Sequence, residues 1–159
     1  QSMLILYRPE TNQIIWIGSG KFFHQHDINI LDESKIYFFN NNSKPFIDGG
    51  TVDGNNNVMI YDFETNKYSY YFENSFIKND IRTEGQGRSR ILPNGDLFVE
   101  ESDFGRILYF NNDGSLRWTY VNKNEKDEIY GLGWSRILYK DEDIILVNEF
   151  LKQRTPKNQ

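Results

Sequence analysis

One hairpin is written three times along this chain, and that repetition constrains the fold more than any other feature. Ile5-Leu6-Tyr7-Arg8-Pro9-Glu10-Thr11-Asn12-Gln13-Ile14-Ile15-Trp16 returns as Val58-Met59-Ile60-Tyr61-Asp62-Phe63-Glu64-Thr65-Asn66-Lys67-Tyr68-Ser69-Tyr70. It returns again as Ile107-Leu108-Tyr109-Phe110-Asn111-Asn112-Asp113-Gly114-Ser115-Leu116-Arg117-Trp118. Each copy reads as a strand, a tight polar turn and a second strand, with Glu-Thr-Asn or Asn-Asp-Gly as the turn.

A second hairpin type alternates with the first. Its copies run from His26-Asp27-Ile28-Asn29-Ile30-Leu31 to Phe39, from Arg88-Ser89-Arg90-Ile91-Leu92 through Pro93-Asn94-Gly95 to Val99, and from Trp134-Ser135-Arg136-Ile137-Leu138 to Val147. The Ile-Leu pairs begin at 30, 91 and 137, giving spacings of 61 (91 − 30) and 46 (137 − 91). These straddle the roughly 40–50-residue period of propeller blades, and two hairpins per period make a four-stranded blade.

The expected fold is therefore all-β: a β-propeller arc of about three four-stranded blades, with repeat hairpins near 5–16, 26–40, 58–72, 88–101, 107–121 and 134–148. Composition agrees. The chain has no Ala, the best helix former, and aromatic residues make up 16% of it. Helical turns are expected only near Asn74 to Asn79 and after Glu149. Residues 1–3 read as a tag remnant, 4–150 as the partial propeller and 151–159 as a polar tail. Propellers close with roughly four to eight blades. The arc is thus expected either to be the C-terminal part of a longer propeller or to assemble, two copies closing a six-bladed ring as a homodimer.

A net charge of −5 and a pI near 5.1 argue against a nucleic-acid or anionic-membrane surface. No run approaches the roughly 20 apolar residues of a membrane span, and no signal peptide is visible. With no Cys there is neither a disulfide scaffold nor thiol catalysis.

Both histidines, His24 and His26, stand at the entrance of one predicted strand. Two residues apart on a strand means one face, so the imidazoles are expected to point together, with Asp27 on the other face. As a metal pair they lack a third ligand, and no metal is expected. In the repeat register His26, Arg88 and Trp134 fall at nearby positions of the innermost strand, the strand that lines a propeller's channel. Arg82, Arg88 and Arg90 form the one basic cluster. Guanidinium forks match the oxygens of sulfate or carboxylate, and Gly85 and Gly87 would let backbone N–H groups approach an anion. The alternative is that these arginines pair with acids such as Glu100 or Glu101; Arg90 and Arg136, repeated in register, suit an inter-blade role better. Asp53-Gly54-Asn55-Asn56-Asn57 lacks the terminal bidentate acid of a calcium loop and reads as a polar turn. Trp16 and Trp118, at equivalent hairpin ends, read as repeated core packing rather than an aromatic wall shared with Trp134.

Gln25-His26, the strand pair ending Ile36-Tyr37-Phe38-Phe39-Asn40-Asn41, Arg90-Ile91-Leu92-Pro93-Asn94-Gly95-Asp96-Leu97 and Gly105-Arg106-Ile107-Leu108 through Trp118 together resemble the C-terminal blades of bacterial arylsulfate sulfotransferases. The resemblance runs over most of Leu4 to Phe150. It implies a six-bladed propeller, periplasmic or exported, that moves a sulfuryl group from an aryl sulfate donor to a phenolic acceptor. It implies no nucleotide donor and no cofactor. A His becomes a covalent sulfohistidine, and His26 is the matching position; His24, Arg88 and Arg90 are the candidate substrate contacts. Asn40-Asn41-Asn42 departs from the family's Asp-Asn-Gly segment. The family's further site residues would lie upstream of Leu4, so the 159 residues alone are expected to be inactive or nearly so. The competing expectation is a non-catalytic propeller module that binds a protein or glycan partner.

Overall fold

A computed structural model describes residues 2–46 and 49–154. It is mostly β-structure. The strands are β1 (Leu4–Arg8), β2 (Gln13–Gly18), β3 (Gln25–Ile30), β4 (Lys35–Asn40), β5 (Ser43–Phe46), β6 (Gly49–Val52), β7 (Asn57–Asp62), β8 (Lys67–Tyr71), β9 (Gly87–Ile91), β10 (Leu97–Glu101), β11 (Arg106–Phe110) and β12 (Leu116–Val121). Two helices, α1 (Glu73–Lys78) and α2 (Asp141–Arg154), complete the regular structure. Two four-stranded antiparallel sheets result, β3-β4-β7-β8 and β12-β11-β10-β9, with two-stranded sheets β1-β2 and β5-β6. The β5-β6 hairpin is inserted between β4 and β7, which explains why the first repeat spacing is the longer one.

Local chemistry closes the hairpins. At β7–β8 the Asp62 carboxylate accepts the N–H groups of Glu64 and Thr65 at 2.8 and 3.0 Å. At β9–β10 Gly95 takes φ +85° and donates its N–H to the Leu92 carbonyl at 2.8 Å. A side chain at that backbone angle would be strained.

The layers follow from alternation. On β4, Tyr37 and Phe39 face the second sheet, where they meet Leu97, Val99, Leu108 and Phe110 together with Phe76 of α1. Phe38, one residue out of phase, faces Leu4, Phe22 and Trp16 at the β1–β2 side. On β10, Phe98 turns away from the main core toward Tyr109 and Ile137. Central strands covered on both faces read as near-continuous apolar runs, which describes Ile36 to Phe39 and Leu97 to Val99.

The hairpin expected near 134–148 is not formed. The chain carries no strand from 132 to 140 and then enters α2, eight residues before the helical tail expected after Glu149 (149 − 141 = 8). A strand needs a neighbour for its N–H and C=O groups, whereas a helix satisfies them internally. Acids at the start of α2 (Asp141, Glu142, Asp143) and bases at its end (Lys152, Arg154) also suit the helix dipole. None of its residues is buried. The predicted polar tail thus falls partly in α2, and residues 155–159, like Gln1 of the predicted tag remnant, lie outside the described residues.

Candidate active site

The edge strands β3 and β9 of the two large sheets adjoin, and the candidate site lies where they meet. A pocket of about 110 Å³ is lined by His26 of β3, Gly87 and Arg88 of β9, Glu100 of β10, and Trp134. His26, Arg88 and Trp134, which fall at nearby positions of the repeat, thus share one pocket.

His26 is one of the residues that line it. Nε2 is buried and, among the described residues, has no hydrogen-bond partner. The Gly85 backbone stands beside the ring and favours its charged form. A proton on Nδ1 leaves Nε2 as the lone-pair nitrogen. Burial, then the neighbouring His24, hold the His26 pKa below its ordinary 6.5, outweighing the Gly85 contact and the nearby Asp103 and Asp27 carboxylates. Neutral imidazole therefore persists to lower pH here than in a free histidine.

The two imidazoles lie 5.0 Å apart between centroids, inclined at 61°. Strand alternation does not explain this, because His24 precedes β3 and takes φ +58°. A left-handed residue turns the chain back at the strand entrance, and Nδ1 of His24 meets the Glu84 carbonyl oxygen at 3.2 Å. His24 borders His26 without lining the pocket. Asp27 also departs from the expected alternation. It has φ +53° in a β-bulge between His26 and Asn29, and its carboxylate reaches the neighbouring sheet, accepting the Ser89 N–H at 2.9 Å and facing Arg88 Nη2 at 3.5 Å.

Arg88 supplies the cation. Its Nη1 is buried and unpartnered among the described residues, and its guanidinium carbon lies 4.8 Å from the Trp134 ring centroid. The expected pairing of the arginine cluster with an acid of a neighbouring sheet is met at Arg88 by Asp27, not by Glu100 or Glu101. Glu101 is bound by Arg106 and by the Arg82 backbone N–H. Glu100 stands opposite Arg88 in the sheet register, yet its carboxylate accepts the Ser102 hydroxyl at 2.7 Å and the backbone N–H groups of Trp134 and Ser135. Arg90 is turned elsewhere, donating to Asn29 Oδ1 at 2.7 Å.

The glycine-flanked loop does cradle an anion, and that anion belongs to the protein. Asp103 Oδ2 accepts the N–H groups of Glu84 and Gly85 at 2.9 and 2.8 Å and the Thr83 hydroxyl at 2.7 Å. Gly85 is therefore not available to a substrate anion. Gly87 is needed for packing, since a Cβ there would stand 2.2 Å from the Phe39 ring. Asp103, Glu100 and Trp134 are the site components that the sequence pattern underplays. Only Trp134 carried a signal, its register with His26 and Arg88.

These features define a repetitive, mostly β protein with a histidine–arginine pocket at the junction of its edge strands. A family model described as Arylsulfotransferase (ASST) matches residues 1–123, and the chain belongs to that family. No curated protein and no solved structure matches the chain.

Proposed function

We propose that the chain is part of a β-propeller whose blades are the two four-stranded sheets, and that its pocket takes the sulfonate group of an aryl sulfate. The observation that carries this reading is that two residues lining one small pocket, His26 and Arg88, each hold a buried, unpartnered nitrogen, Nε2 and Nη1. Buried polar groups left without partners mark a place where a ligand completes the hydrogen bonding. Family membership supports sulfate ester chemistry over other anions.

In the proposed reaction Nε2 attacks sulfur with its lone pair while the bond from sulfur to the aryl oxygen breaks. The phenolate leaves with that electron pair and is protonated by water. Arg88 neutralises the sulfonate oxygens, and Nδ1 keeps its proton. An acceptor phenolate then attacks sulfur and returns the N–S electron pair to Nε2. Trp134 offers an aromatic wall to the aryl group. Ping-pong kinetics result from the covalent intermediate.

The 159-residue chain by itself is expected to turn over little aryl sulfate, because the groups that activate the donor are expected on other blades. The test is mass analysis of the peptide carrying His26 after incubation with an aryl sulfate. An acid-labile sulfuryl adduct, absent from H26N, supports the enzyme. Saturable binding of aryl sulfate with no adduct in a closed propeller would instead favour a non-catalytic binding module.

A further inference from the structure

Two buried glutamates of β10 meet their cross-strand arginines differently. Glu101 stands opposite Arg106 of β11 and pairs with it. Glu100 stands opposite Arg88 of β9, and its carboxylate bonds elsewhere. Both glutamates are 0% exposed. Residues directly opposite in an antiparallel pair project from one face of the sheet, and opposite charges placed there attract. Arg88 also has a buried nitrogen to offer, since Nη1 is unpartnered while Nη2 faces Asp27 at 3.5 Å. A buried carboxylate beside such a guanidinium is expected to take it. Something holds Glu100 off.

What holds it is a competing set of donors. Its Oε1 accepts the Ser102 hydroxyl at 2.7 Å and the Trp134 N–H at 3.2 Å, and its Oε2 accepts the Ser135 N–H. Trp134 takes φ +65°, a backbone angle uncommon for so bulky a residue. A left-handed residue lets successive N–H groups converge on one anion, and here that anion is the Glu100 carboxylate. The Leu132 N–H bonds the Ser102 carbonyl at 2.9 Å, so residues 132–135 are fastened to Glu100 and Ser102 together. Glu100, Ser102, Arg88 and Trp134 all line the pocket.

We propose that Glu100 is a positioning residue that decides whether Arg88 is open to an anion. Held by Ser102 and by residues 132–135, its carboxylate leaves Nη1 for a ligand. Released, it takes Nη1 and closes the site. Ligand and carboxylate thus compete for one donor, and the pocket's affinity for an anion depends on how the Trp134 segment is seated. This rests on the reading that Arg88 receives the sulfonate group, and it adds an internal competitor for the same cation.

S102A removes one of the three bonds that hold the carboxylate. A hydrogen bond to a charged group is strong enough to shift such a balance by about tenfold. The probe is inorganic sulfate, its binding followed by the ring-nitrogen shifts of His26. S102A is expected to bind sulfate about tenfold more weakly than wild type, whereas S102A/E100Q should bind it as tightly as E100Q. A direct contact from Ser102 to sulfate, or a general loosening of the loop, would weaken binding equally in both backgrounds. Such an equal loss, or no loss in either, would overturn the proposal. A second readout needs no ligand: rotation of the Arg88 guanidinium, followed by nitrogen NMR of its Nη pair, should slow in S102A and recover in S102A/E100Q. If it does so while sulfate binds none of these chains, the competition stands and the sulfonate reading fails. If sulfate binds wild type and the rotation is the same in S102A, the competition fails while the anion site stands.

Discussion

Removing the Asp103 carboxylate tests how the active-site loop is held. Its Oδ2 accepts two backbone N–H groups at 2.8–2.9 Å and the Thr83 hydroxyl at 2.7 Å. Burial pushes its pKa up, but the Gly85 N–H, the Thr83 hydroxyl and the N–H groups of Gln86 and Glu84 outweigh that and hold it below the ordinary 3.8. Hydrogen bonds to a charged acceptor contribute about 1.5–3 kcal/mol each when dry. Asp103 is largely open to solvent, so water replaces much of this, and D103A is expected to cost about 2 kcal/mol in total. D103N, which keeps an acceptor oxygen but loses the charge, should cost about 1 kcal/mol. For a chain of this size 2 kcal/mol corresponds to a fall in Tm of about 4–8 °C. The sign with pH is set by the depressed folded-state pKa. The stabilisation is complete above the unfolded value of 3.8 and is lost as pH falls through the lower folded value. Urea unfolding of wild type and D103N should therefore differ at neutral pH and converge in acid. Amide exchange at Gly85 should speed up in both variants. Unchanged stability of D103A, or a wild-type advantage that grows in acid, would refute the reasoning.

Three further outcomes are expected. G87A forces a Cβ to within 2.2 Å of the Phe39 ring, and overpacking of that kind should cost about 1–3 kcal/mol by thermal or urea unfolding. R106M leaves Glu101, whose side chain is 1% exposed, without its cation, and should lower stability by about 3–5 kcal/mol in the same assay, far more than loss of a surface ion pair. H24N removes a positive neighbour from His26, so the His26 pKa measured by NMR should move up toward 6.5; a fall or no change would contradict the assigned cause.

The parts legible in the sequence were those set by local chemistry. Pro93-Asn94-Gly95 and Asn112-Asp113-Gly114 mark turns by residue type alone, and the apolar strands beside them had to alternate. His26, Arg88 and Trp134 could be brought together on paper because the repeat puts them at nearby positions of corresponding strands. What failed depended on partners distant in sequence. Trp134 to Val147 has the letters of an inner hairpin, but without a neighbouring strand α2 forms instead. Gly85 reads as an open anion donor until Asp103, 18 residues onward (103 − 85 = 18), is seen to fill it. The closeness of His24 and His26 was expected from alternation, yet it arises from a left-handed backbone at His24 and a bulge at Asp27.

The most direct test of the His26–Arg88 pocket is a long-range proton–nitrogen NMR titration of the imidazole rings, which is simple because the chain has two histidines. The account predicts that His26 carries its proton on Nδ1 at neutral pH and titrates below 6.5. It also predicts that added inorganic sulfate raises this pKa and shifts Nε2, and that R88M abolishes the response. A His26 that titrates at or above 6.5, with ring signals that sulfate leaves unmoved, would contradict it.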